Sequence, residues 1–118
     1  MRAKDAVGRY GEDVAVAHVL AAGWTVLDRN WRCRQGELDL VALDGSELVA
    51  VEVKTRRSQQ YGHPAQAVTR EKLARLRRLT ALWLAAHDVH PASVRLDVIA
   101  VLVPGRGAAQ VDHLVGVV

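Results

Sequence analysis

The chain has 118 residues, half of them hydrophobic, with a formal net charge of +3 and a pI near 9.5. That length suits one domain with a packed core, and the mild basicity permits an anionic partner without requiring one. A single cysteine, Cys33, excludes an internal disulfide and points to a reducing, cytoplasmic setting. The five histidines (His18, His63, His87, His90, His113) lack the paired spacing of a zinc site. No histidine partner for a Cys33 nucleophile can be named. The charged N-terminal residues lead into no apolar core segment, so no signal peptide is expected. Residues 14–27 lack Asp, Glu, Lys and Arg. They are too few for a membrane span, which needs ~20 apolar residues.

In chain order, residues 3–22 read as a helix that Gly23 stops. Gly8, Glu12, Ala15, Val16 and Val19 share one stripe of it. Glu12 therefore either points into a site or lies exposed at the stripe's margin. Residues 24–31 form a strand candidate, because Trp24-Thr25-Val26-Leu27 is rich in β formers. A basic connection carries Arg29, Arg32 and Arg34 beside Trp31 and Cys33. Arginine next to an aromatic suits phosphate contact and base stacking. A loop that only keeps the chain soluble is the competing reading.

Residues 36–54 read as a β-hairpin. Gly45-Ser46 suits its two-residue loop, with Gly at the first position. Asp44 then pairs with Glu47, and counting back sets Asp39 opposite Glu52 and Glu37 opposite Lys54. Alternation places these four on one face, with Leu38, Leu40, Ala42, Val49, Val51 and Val53 on the other as core. Opposed side chains have Cβ atoms ~5 Å apart, and like charges there destabilise the pair. Two carboxylates so placed need a shared proton or a cation, and Mg2+ fits two carboxylates, waters and a phosphate. The other reading is a Glu37–Lys54 ion pair, with Asp39 and Glu52 on a solvated face.

Residues 55–64 are polar and read as a loop, with Pro64 opening a short turn that carries Gln66. A second helix spans 69–87, capped by Thr69, with Glu71 in its first turn. Leu73, Leu76, Thr80, Trp83, Leu84 and His87 make its buried stripe. Arg70, Lys72, Arg75, Arg77 and Arg78 make the rest of its first half basic, which is ordinary for an outer face. His90-Pro91 ends it. Strands follow at 93–103 and, at an edge, 110–118. The order is α-β-β-β-α-β-β, without repeats or linkers.

A helix bearing Glu, a strand bearing Asp and a strand bearing Glu-x-Lys resemble the PD-(D/E)xK nuclease superfamily. More closely, the chain resembles the YraN family, which is similar to archaeal Holliday-junction resolvases. The matching segments are Gly8-Arg9-Tyr10-Gly11-Glu12-Asp13-Val14-Ala15, Arg29-Asn30-Trp31-Arg32, Gly36-Glu37-Leu38-Asp39-Leu40-Val41 and Val49-Ala50-Val51-Glu52-Val53-Lys54-Thr55-Arg56. Tyr61-Gly62-His63-Pro64, Ala67-Val68, Lys72 and Arg95-Leu96-Asp97-Val98 complete them. Leu38 stands where the superfamily's name has proline. The resemblance implies a single α/β domain over 1–118, a restriction-endonuclease-like core whose mixed central sheet is flanked by helices. It implies Asp39 and Glu52 as ligands of Mg2+ or Mn2+, Lys54 as the catalytic lysine and Glu12 as a helix-borne acid of the site. Gln66 falls loosely where some members place a glutamine.

The expected function is metal-assisted phosphodiester hydrolysis. Arg29, Arg32, Arg34, Arg56, Arg57, Arg70 and Lys72 would track the phosphate backbone, in the first place of DNA. No base-reading motif is visible, so recognition of structure is expected. A homodimer is compatible with this reading. Two rivals remain: a nucleic-acid-binding module without turnover, and a protein-interaction domain that uses its edge strand.

Overall fold

The computed structural model describes residues 5–57 and 68–118. Its elements are α1 (Ala6–Ala21), β1 (Thr25–Cys33), β2 (Gly36–Asp44), β3 (Glu47–Arg56), α2 (Arg70–Ala86), β4 (Ser93–Leu102) and β5 (Gln110–Leu114). This is the expected order. The strands form one mixed sheet in the order β1-β2-β3-β4-β5. Every neighbouring pair is antiparallel except β3 and β4, which run parallel with α2 between them in the chain.

Both helices start on side-chain caps. Asp5 accepts from the N–H of Gly8 at 2.7 Å, and Thr69 accepts from that of Lys72 at 3.1 Å. Gly23 takes φ 88°, the left-handed conformation that closes α1. The core has two layers. Ala15, Val19 and Trp24 pack with Leu40, Ala42, Val49, Val51, Ile99 and Val101 on the α1 side. Leu73, Leu76, Leu79 and Trp83 pack with Leu38, Val41, Leu48, Ala50 and Leu96 on the α2 side. With both faces covered, the central strands are apolar on both, and alternation alone cannot say which face is core. Among the described residues no helix is long and apolar enough to cross a membrane.

Three expectations need correction. The basic run after residue 28 is strand, not connection: β1 continues to Cys33, and Arg32 sits opposite Glu37. The last strand stops at Leu114, because Gly116 turns at φ 66° and donates its N–H to Asp97 Oδ1 at 2.9 Å. The third correction concerns the hairpin. Its loop and register are as read, from Asp44↔Glu47 to Leu40↔Val51. There the β2–β3 ladder ends. Beyond it β2 continues with β1 as far as Gly36, and β3 continues with β4 as far as Arg56. The sheet therefore forks.

Candidate active site

The fork reorganises the charged residues of the hairpin. Leu38 packs on the α2 side and Leu40, two residues on, packs on the α1 side. Strict alternation would put both on one face, so β2 turns over between them, at Asp39. Opposite Asp39 in the β1 register stands Asn30, the one described non-glycine residue with positive φ, 53°. Asparagine tolerates that conformation, and both strands reverse here without losing step. Glu37 and Asp39 consequently face α1, whereas Glu52 and Lys54 face α2. The four do not share one face, and neither Asp39–Glu52 nor Glu37–Lys54 is a ladder pair. They meet through the gap between the diverging strands.

Asp39 holds the crotch of the fork. Its Oδ2 accepts from the N–H of Val53 at 2.9 Å. In a continued ladder that N–H would donate to a backbone carbonyl of β2. The carboxylate thus replaces a ladder bond. On the α1 side, ligand oxygens of Glu12, Glu37 and Asp39 lie within 4.8 Å of one another. Glu12 is only 6% exposed, so it is not the exposed residue at the margin of its stripe. Its height over the sheet is set by the next residue back. A Cβ on Gly11 would stand 1.9 Å from the Thr55 hydroxyl oxygen, so glycine alone lets α1 come this close to β3. Glu37 pairs with Arg32 across β1 and β2, not with Lys54.

On the α2 side, Glu52 and Lys54 line a pocket with Lys72, Val68, Leu73, Leu76 and Val98. Burial, and then the charge of Asp39, raise the Glu52 pKa. Lys54, Arg75 and Lys72 oppose that rise. Glu52 thus feels the charge of Asp39 across the fork. The Lys72 pKa is lowered, first by the charge of Lys54 and then by burial.

The arginines expected to meet phosphate are more scattered. Arg29 bonds Asp13 at 2.7 Å in an exposed pair, a contact of small energy. Arg34 is exposed in the β1–β2 turn, Arg56 ends β3, and Arg57 and Arg70 are exposed at the two margins of the undescribed segment. Gln66 lies outside the described residues. The sequence sets Glu37 among four charged residues on one face, with an ion pair to Lys54 as the competing reading, and does not bring it to Glu12 as the structure does. The signal for its place beside Asp39 was there, since Glu37 and Asp39 are two apart on one strand. Arg75, which the sequence sets on an outer basic face, instead acts on Glu52.

Fold and site together define a small α/β protein with a forked mixed sheet, acids on one side of the fork and cations on the other. The family model described as "Uncharacterised protein family UPF0102" matches residues 11–101, and the chain belongs to that family. A UPF0102 protein of Beutenbergia cavernae is 64% identical over 99% of both chains. One from Kineococcus radiotolerans is 65% identical, covering 99% of this chain and 97% of its own. One from Streptomyces coelicolor is 52% identical over 99% of this chain and 92% of its own.

Proposed function

We propose that the protein is a metal-dependent nuclease that hydrolyses phosphodiester bonds in nucleic acid, DNA first, and selects its substrate by structure. The fork is the observation that carries this reading. Asp39 takes the place of a ladder bond there, and its charge acts on Glu52, which shares a pocket with Lys54. Carboxylates brought this close favour a cation. The donor set fits a hard ion, because carboxylate oxygens suit Mg2+ and Mn2+. Asp39 and Glu52 would hold it, with Glu12 and Glu37 adjoining Asp39 from the other side. When bound, such an ion acidifies water and offsets charge on the phosphate under attack.

The chain's own groups supply the rest. The Lys54 ammonium orients the attacking water and stabilises negative charge growing on the phosphate oxygens. Glu12, anchored on α1, holds water on the acid side. The exposed arginines draw in the phosphate backbone in a salt-dependent way. The half-buried Cys33 stays a thiol in the cytoplasm, where this reading places the protein.

One observation favours a second reading. Lys54, Arg75 and Lys72 all favour the charged form of Glu52, against burial and Asp39. A carboxylate with three cations around it also suits a binding module without turnover. The test is cleavage of labelled single-stranded, duplex, flapped and four-way-junction DNA, and of RNA, in Mg2+, Mn2+ or EDTA. The expected result is cleavage that needs metal and disappears in Glu52→Gln and Lys54→Ala. Binding without cleavage would leave the module. Neither binding nor cleavage would shift attention to a protein partner at the β5 edge.

A further inference from the structure

We propose that Lys72 is a second phosphate-gripping residue of the site, which together with Lys54 holds a single phosphodiester across the mouth between β3 and the first turn of α2. The two lysines arrive from different elements. Lys54 rises from β3, and Lys72 descends from α2, where its N–H is fixed by the Thr69 cap at 3.1 Å. Both line the same pocket, over an apolar floor of Leu73, Leu76 and Val98 with Glu52 at its side.

The two ammonium groups share this pocket, and the charge of Lys54 weighs on Lys72 more than burial does. Two ammonium groups have six donors between them and no acceptor, so their approach is repulsive as it stands. An anion between them removes the repulsion, and a phosphodiester has two non-bridging oxygens, one for each ammonium. Glu52 offers one carboxylate to both lysines, and Arg75 adds a third positive charge around it. A cation on Asp39 and Glu52 would take up the Glu52 charge and leave the lysines unbalanced. Metal and phosphate would then each favour the other's binding. The acids on the α1 side repel the substrate and the cations on the α2 side attract it, so the strand is expected to cross the N-terminal end of α2. Lys72 therefore differs in kind from a backbone-tracking cation: it acts on the one phosphate in the pocket.

The identity of that phosphate as the scissile one rests on the nuclease reading; the grip does not. Two probes carry one phosphate each, the dinucleotide TpT and bis(p-nitrophenyl) phosphate. Lysine labelled with 13C at the ε-methylene reports on binding of TpT in Ca2+, with signals assigned from Lys54→Ala and Lys72→Ala. The expected result is that the Lys54 and Lys72 signals move together and saturably. In Mn2+, Lys72→Ala should lower turnover of bis(p-nitrophenyl) phosphate about tenfold or more, and Lys72→Arg should restore part of it. Unchanged melting temperatures show that the variants fold. If TpT moves Lys54 but not Lys72, or moves neither, the grip is wrong. It is equally wrong if Lys72→Ala matches an active wild type on the single-phosphate substrate. If the wild type turns over nothing while both signals move, the nuclease reading falls and the grip stands.

Discussion

Asp39 Oδ2 holds the Val53 N–H, the proposed function gives the same carboxylate a chemical role, and two substitutions separate the two. Asp39→Asn keeps an acceptor for the Val53 N–H and should fold nearly as well as the parent. Asp39→Ala leaves that N–H without its partner and should cost about 1–3 kcal/mol in urea denaturation. Both should abolish metal-dependent cleavage. Glu52 illustrates the opposite balance. Its folded pKa is raised above 4.5 by burial and by Asp39. Through that window the folded protein binds more protons than the unfolded chain, so stability falls as pH rises. Glu52→Gln removes this term. At pH 7 the Gln variant should need more urea to unfold, and Mg2+ should stabilise it less than it does the wild type. A variant no more stable than the wild type at neutral pH would show that Glu52 is not held against its charge.

At the scale of elements, α1 is a positioning device. Gly11→Ala puts a methyl 1.9 Å from the Thr55 oxygen, and the helix must move off the sheet and carry Glu12 with it. A loss of about 1–3 kcal/mol is expected, as for overpacking, and Thr55→Ala in the same chain should recover part of it. Denaturation of the single and double variants checks this.

The far end of the sheet is tied by Asp97, which is 0% exposed. It accepts from Arg95 at 2.9 and 3.1 Å, from the Gly116 N–H at 2.9 Å, and pairs with His113 Nε2 at 2.7 Å. His113 Nδ1 meets His18 Nε2 at 3.1 Å, joining β5 to α1. Burial, and then His113, lower the His18 pKa below 6.5. Below 6.5 the unfolded chain takes up a proton before the folded protein does, so this stability is present above 6.5 and is lost as pH falls through the folded pKa. His18→Gln should flatten that acid-side decline in thermal melts recorded from pH 7.5 to 5. These elements were largely legible beforehand. Thr69, Gly23 and Gly45-Ser46 act on their immediate neighbours, so caps, stops and the hairpin register follow from local sequence. The extent of β1 and β5 was not legible, because partners elsewhere in the chain set it: β2 draws the basic run into the sheet, and Asp97 turns the chain at Gly116.

For the whole molecule, the mixed sheet separates charge. Glu12, Glu37 and Asp39 gather under α1, whereas Lys54, Lys72 and Arg75 gather around Glu52 under α2. A net charge of +3 says nothing of this division. By itself the sequence determined the order of elements, the two helices and their caps, the hairpin loop, and Asp39, Glu52 and Lys54 as neighbours at its open end. Those features depend on periodicity, turn chemistry and residues close in the chain. Only the tertiary structure decided that the hairpin forks after Leu40 and Val51, that β2 turns over at Asp39, that Glu37 pairs with Arg32, and that Lys72 comes to Lys54. The physical reason is that each strand of the hairpin has a second neighbour, β1 for β2 and β4 for β3. Past the fork those outer pairings, and the helices packed on either face, outweigh the hairpin's own ladder.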